Sequence, residues 1–539
     1  MKDYTKKQRT LIILGVAVFI LIGSGLTYAA LTWATSNPIN IGLTSGCFEI
    51  NYTPGGAINN ANVEVMDEST LINNNKFTIT EGIALTYANI GIKSTCTIEG
   101  YGSLYLNVTN LSSAFSTGGS KGSLKYAILN NTSSSTTLTV AGLSGQSFDI
   151  VKKGTITATG TTEILKKQLS NSTQNKYLIV FYIDGSLIGN DVIGSTFAGN
   201  ISADAHQGTA PVNTVELLTD LYTNATKTTA TLDSVTYNLA SSVGLMNDRE
   251  GSSSVGADAG NIRYYGANPN NYIYFNCSDY KNQSSSTCET WRIIGIVDGK
   301  MKIMRGSVIG SYSWDSSASG TNSGYGVNEW SQADLMKLLN SGYDSESVGG
   351  SLYWNAKSGT CYNGQNNATT SCNFTSTGLK NDTTRNMIAE TTYYTRGHSN
   401  SRIFVGAMYD KERVSGTVVS ATPTRTLTWT GKVAVAYPSD YGYAADLSLC
   451  QKQLGSYNDA TCTANNWMKN ILGTSSDGWL LTPRSGGAGD AWYVSSSGGV
   501  SNGLSASGAG GVVPVLSLTS ELDIGSGLGT SSSPYQLSV

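Results

Sequence analysis

Two histidines, 37 acids and eight cysteines are the residues in this 539-residue chain best suited to chemistry. A Ser-His-Asp hydrolase needs a histidine beside its nucleophile. His398 lies in the polar stretch RGHSN and His206 in ADAHQ, and both read as surface positions. GxSxG occurs at 118–122 and at 499–503, each within a Gly/Ser-rich stretch. A nucleophile elbow needs a strand before the serine and a helix after it, and no helical pattern follows either match, so both read as turns. Among the acids, Glu329, Asp334, Asp440 and Asp446 lie near aromatics, but nothing fixes the separation that glycoside cleavage would need. Glu329 and Asp334 fit the chemistry of a helix start. The glycine clusters 486–489 and 525–529 open no helix and precede no Lys-Ser/Thr, so they are not phosphate loops. There is no CxxC to accompany the two histidines, which argues against zinc, and no Asp/Asn loop is specific for calcium. The expectation is a non-catalytic protein with no metal or cofactor.

The cysteines point to export. Their number is even: Cys47, Cys96, Cys277, Cys288, Cys361, Cys372, Cys450 and Cys462. Outside the cytosol such a set reads as disulfides. Three sequential pairs, Cys277 with Cys288, Cys361 with Cys372 and Cys450 with Cys462, would each close a short polar loop. Cys47 and Cys96 would then link two strands of the first domain.

Aromatic residues are the remaining signal. Of nine tryptophans, all but Trp33 lie between positions 291 and 492. Aromatic-rich loops supply rigid stacking surface for sugars or protein partners. Trp314, Trp354 and Trp492 sit among small or polar neighbours and are the better candidates for exposure. Together with Tyr493, and with Arg484 as a polar anchor offering five donors in a fixed fork, they form the expected ligand-binding set.

The elements that must position these residues follow from composition and pattern. Charged residues make up 13% of the chain, about half the usual soluble share. A net charge of −3 gives no reason to expect a nucleic-acid partner. A basic start, residues 1–10, precedes an uncharged apolar segment at 11–33, long enough to span a bilayer. It reads as a transmembrane anchor with a cytoplasmic tail and an extracellular bulk, or as a signal peptide cleaved before Ala30. Residues 37–207 carry short alternations, such as 76–87 and 103–108, and a continuous apolar run at 177–183 (YLIVFYI) that suits a central strand. An all-β sandwich is expected there. Residues 208–260 read as a linker with a short helix near 212–222. Residues 261–539 read as an α+β domain. In it, WRIIGIV and KMKIM flank Asp298-Gly299 as a hairpin, Ser331 to Asp334 looks like a capping box, and helices are expected near 383–391 and 464–472.

Two family resemblances rest on these stretches. CFEINY at 47–52, LKYA at 124–127, YIDGS at 182–186 and FAGNISA at 197–203, after the anchor-like start, resemble the extracellular β-sandwich of TasA/camelysin-like surface proteins of Gram-positive bacteria. Some of those relatives form matrix fibres and some are described as metalloproteases, but this chain has no HExxH. The second domain carries YYGANPNNYIYFNC at 264–277, WRIIG at 291–295, YPSDYGYA at 437–444, WLLTPR at 479–484 and GVVPVL at 511–516. These resemble the uncharacterised C-terminal domains of surface proteins from gut Firmicutes, similar to the C-type-lectin-like fold shared with the formylglycine-generating enzyme. The resemblance implies loops on a small twisted sheet. The chain departs from that family at Val513, where arginine is frequent, and no cysteine follows Cys462 to serve an oxidase of that kind. The whole reads as a cell-surface binding protein or adhesin, taking a glycan or protein ligand, on a β-sandwich stalk. A structural subunit of a surface fibre is the alternative, and a surface hydrolase is a third reading.

Overall fold

A computed structural model describes residues 43–45, 48–58, 63–94, 100–135, 137–169, 174–207, 210–248, 260–316, 326–418, 425–474 and 476–539. The segment 11–33 and the pair Cys47/Cys96 lie outside the described residues. Among the described residues no helix is long and apolar enough to cross a membrane. The chain is mostly β and divides into two units, 1–210 and 211–539.

In the first unit the apolar run at 177–183 forms the middle of strand Gln174–Asp184, which pairs antiparallel with Ala84–Ser94 on one side and Leu124–Asn130 on the other. Side chains alternate across a strand, so both faces of this one must be covered for the run to be continuous. They are. Tyr177, Ile179, Phe181 and Ile183 join one buried cluster, while Leu178, Val180 and Tyr182 join another. The first cluster is closed by a second sheet in which Gly100–Leu111 is flanked by Gly160–Leu169 and Phe197–Gln207. Leu104, Leu106 and Val108 point from that sheet into the shared core. The expected sandwich is therefore present. Asp184 ends the central strand by capping a short 3-10 turn, its carboxylate accepting from the Ser186 amide at 3.0 Å.

The second unit begins earlier than expected. Residues 211–248 are not a linker. The expected helix forms at Thr214–Asn224, capped by Asn213, and buries Leu218 and Tyr222 against the core of this unit. Strands Thr228–Leu232, Val235–Ala240 and Leu245–Asn247 then enter its nine-stranded sheet through Ile262–Tyr264. The Gly/Ser-rich stretch 249–259 lies outside the described residues.

The hairpin is present as strands Glu289–Val297 and Lys300–Arg305. Asp298 and Gly299 both take positive φ, +52° and +72°, as a type I′ turn requires. A bulge near Gly295 shifts the side-chain period, so Trp291, Ile293 and Ile296 enter one core cluster and Ile294 the other. A five-stranded sheet holds Gly478–Pro483, Asp490–Val494 and Val500–Ser505.

The helices are short, and several differ from expectation. Ala333, not Ser331, precedes helix Asp334–Leu339. Residues 383–391 give only Asp382–Asn386 and then the start of strand Thr391–Tyr394. Residues 464–472 are mostly a 3-10 turn, Trp467–Asn470, after helix Ala460–Ala464. The disulfides Cys277–Cys288, Cys361–Cys372 and Cys450–Cys462 form as expected, and all six of these cysteines are buried.

Candidate functional site

The expected aromatic surface is not on the outside of the second unit. Trp314 and Trp492 are fully buried and Trp354 is 7% exposed, which corrects the expectation that they lie open. Trp314 packs at 5.2 Å against Trp330, in a different core cluster from Trp492. Trp492 donates from its indole nitrogen to the His398 carbonyl at 2.8 Å and stacks on the His398 ring. Tyr493 is half-buried and, as the next residue on the strand Asp490–Val494, faces the opposite side. Arg484 remains partly exposed and pairs with Asp490 at 2.8 Å.

Polar neighbours misled because they are themselves internal. Ser313 donates to the Ser507 carbonyl at 2.9 Å, and Asp315 accepts from the Val327 amide at 2.7 Å. Small hydrogen-bonding residues here let loops pack over tryptophan rather than leaving it exposed.

The other sequence candidates fall into structural roles. Cys277, Cys288, Cys361, Cys372, Cys450 and Cys462 are all consumed in disulfides, so among the described residues no thiol is free to act as nucleophile or metal ligand. Glu329 caps a 3-10 turn, accepting from the Ser331 amide, and Asp334 opens its helix. Ser120 is buried in a turn, hydrogen-bonded to Asp191 at 2.6 Å. Ser501 lies inside strand Val500–Ser505, not in a loop. His398 is half-buried, and burial and Lys411 hold its imidazole below the usual range. His206 lies on strand Phe197–Gln207, its side chain outside the described residues. Among the described residues no group of three or more His, Cys, Asp or Glu is arranged to hold a metal ion.

Two features carry most of the charge chemistry, and of their residues the sequence singles out only Asp440. The first is a buried ionic cluster. Arg263 pairs with Asp248 at 2.5 Å and with Asp440 at 2.8 Å, and Lys302 reaches Asp440 at 2.6 Å. Beside them Arg413 pairs with Glu412 at 3.1 Å and lies 3.8 Å over the Tyr409 ring. Three cations meet three carboxylates, all essentially withdrawn from water. Burial opposes ionisation of Asp440, but Lys302 and Arg263 outweigh it and hold this carboxyl well below the usual carboxylate range. Glu412 differs. Burial pushes it up to about 7, against Arg413 and the Ser439 hydroxyl. The cluster ties strand Ile262–Tyr264, the hairpin, and helix Pro438–Tyr443 with its YPSDYGY sequence into one body. Withdrawn from solvent, it joins these elements through paired charges.

The second feature opens outward. A cleft of about 430 Å³ is lined by Tyr272, Glu289, Thr290, Arg292, Arg305 and Ser307, with Gly306, Asn470 and Ile471 completing the wall. Strand register builds it. Tyr272–Phe275 pairs with the hairpin so that Tyr272 lies opposite Arg292, and Arg305 lies opposite Trp291 on the other side. The Arg292 guanidinium sits 3.7 Å over the Tyr272 ring and 4.9 Å over that of Trp467. Its Nε donates to Asn271 Oδ1 at 2.5 Å, and one Nη donates to the Pro269 carbonyl at 3.4 Å. Arg305 and Glu289 neutralise each other at 3.0 Å. Arg292 has no carboxylate partner among the described residues. Burial lowers its pKa to about 10, with Tyr272 opposing, so it stays cationic at neutral pH.

A signal for this arginine was present. In a chain so poor in charge, Arg292 interrupts an apolar strand, between Trp291 and Ile293. A buried arginine needs partners, and here aromatic faces and neutral oxygens supply them.

Compared with protein-family models, with curated proteins and with solved structures, the chain matches none of them.

Proposed function

We propose that this chain is a non-catalytic binding protein of the cell surface, an adhesin whose second unit carries the ligand site and whose first unit serves as its stalk. The observation that carries this reading is the contrast in the second unit between its two charge features. In the core, buried acids and bases are paired with one another, whereas the cleft open to solvent presents a stacked guanidinium with no carboxylate partner among the described residues, a neutralised ion pair and neutral polar side chains. That arrangement suits recognition, in which a few placed polar groups fix a ligand's orientation.

Three disulfides fit an oxidising, extracellular environment. On this reading the apolar segment 11–33 anchors the chain, or is cleaved to release it. The second unit is read as C-type-lectin-like on the resemblance of its sequence, and its partners are glycans or proteins rather than nucleic acid. Binding of the purified chain to a glycan array and to immobilised extracellular proteins tests the proposal, and no binding to either would end it.

A fibre subunit remains the rival. Strand Gly160–Leu169 has one neighbour among the described residues, leaving an outer edge on which another chain's strand could pair, whereas the outer edge of Phe197–Gln207 is met by Ile58, which bridges to Gly199. Strand Gly160–Leu169 carries a bulge between Glu163 and Leu165, together with Lys166 and Lys167, features that blunt such an edge. Electron microscopy of the chain decides this: filaments favour the rival and persistent monomers remove it.

A further inference from the structure

We propose that the Arg292 cleft binds an acidic saccharide, with a carboxylate or sulfate of the sugar on the guanidinium and sugar hydroxyls on the neutral rim. The inference rests on the reading of the second unit as a binding module and names the ligand class of its cleft.

The argument begins with charge. Three cations of the buried cluster meet three carboxylates, and Arg305 has Glu289. Arg292 has only the Asn271 side-chain oxygen and the Pro269 carbonyl as acceptors. These engage its Nε and, loosely, one Nη, and leave Nη donors without a partner among the described residues. The residue is 6% exposed and lines the open cleft. A guanidinium in this state favours a bidentate oxyanion, whose two oxygens match its fork. Burial strengthens the attraction, since the local dielectric is low.

Preorganisation adds to this. The Arg292 guanidinium lies against both the Tyr272 and Trp467 rings, and Tyr272 is itself fixed by a hydrogen bond from its hydroxyl to Asn268 at 2.9 Å. Asn271 is clamped in turn, donating to the Ile293 carbonyl at 2.8 Å. Little rotamer freedom is left to lose on binding, which favours affinity.

The remaining lining selects for a sugar. Thr290, Ser307 and Asn470 are exposed hydroxyl and amide side chains, neutral groups suited to sugar hydroxyls. Glu289, the one carboxylate in the wall, is occupied by Arg305 and by the Trp291 indole at 3.1 Å. The volume lies within the range of roughly 300–1,000 Å³ typical of small-molecule sites.

The test is calorimetric titration of the full chain with glucuronate, glucose and inorganic sulfate at low and at high salt. Glucuronate is expected to bind at least about tenfold more tightly than glucose, as a charge-assisted hydrogen bond implies, and to weaken as salt rises. Thr290→Glu, an exposed change at the rim, should weaken glucuronate binding at least about tenfold by charge repulsion while leaving the melting temperature unchanged. Arg292→Gln should abolish binding. If that variant fails to fold, Thr290→Glu still decides. Equal binding of glucuronate and glucose, unaltered glucuronate binding by Thr290→Glu, binding of sulfate alone, or no binding of either anion would overturn the inference. A chain that bound a neutral glycan with Thr290→Glu unaffected would keep its role as a binding protein while losing this ligand class.

Discussion

At the scale of single residues, tryptophan and arginine exchanged the roles that their sequence neighbours implied. Trp492 lies in a Gly- and Ser-rich stretch yet is fully buried, with its indole nitrogen satisfied by the His398 carbonyl. Arg292 lies in an apolar strand yet reaches a cleft. Local polarity reports exposure poorly in a loop-rich core, because internal serines and asparagines satisfy loop backbone there. Asn328, for example, donates to the carbonyls of Arg484, Gly487 and Asp490. Trp492→Ala should therefore cost about 3–5 kcal/mol of folding stability, as expected for a large buried side chain. Urea unfolding measures it, and a loss below about 1 kcal/mol would mean that the ring is not core.

Glu412 gives a second residue-scale expectation, with a definite sign. Its ordinary value is 4.5 and burial raises it to about 7 in the fold. The folded chain therefore holds this proton more tightly than the unfolded one between those values, and stability falls as pH rises through that window. Asp440, depressed below its ordinary 3.8, acts oppositely, and its contribution is lost as pH falls below that value. Melting temperature should thus decline from mildly acidic pH toward neutrality. Glu412→Gln should flatten that decline, and an unchanged slope in the variant would show that another group causes it.

At the scale of elements, the sequence was most legible where local chemistry and burial agree. The Asp298-Gly299 hairpin and the central strand at 177–183 both form as read, because turn geometry and two-sided burial leave few alternatives. The capping box at Ser331 and the helices near 383–391 and 464–472 were not legible. Tertiary contacts override weak helical periodicity there, and the chain turns into short 3-10 and strand segments instead. The strands at 228–247 went unread because 208–260 looked like a connector, although Leu232, Tyr237, Leu239 and Met246 are core. Disulfide spacing was informative since Cys277–Cys288, Cys361–Cys372 and Cys450–Cys462 each close their own loop. Cys361–Cys372 joins strands Ser358–Tyr362 and Thr369–Asn373, and closing a loop of about 12 residues contributes roughly 3 kcal/mol. Replacing both of these cysteines by serine should lower stability by about that amount. No change in unfolding midpoint would show that the hairpin is held by its hydrogen bonds alone.

At the scale of the whole molecule, a β-sandwich unit and a larger β-rich unit share one chain. Sparse charge has a different consequence in each part of the second unit. In the core it is gathered into a neutral cluster that joins strand, hairpin and helix. At the cleft one arginine is left without a carboxylate partner among the described residues. The candidate cleft was not legible: none of Trp314, Trp354, Arg484, Trp492 and Tyr493 lines it, whereas Tyr272 and Arg292 do. Strand register, which no spacing rule reveals, brings Tyr272 opposite Arg292. The central claim, that this protein binds through that cleft, is tested most directly by comparing the full chain with Thr290→Trp, which fills the cleft from its rim, on an array of surface glycans and extracellular proteins. The account predicts binding by the native chain and its loss in the variant at unchanged melting temperature. Equal binding by both, or binding by neither, would contradict it.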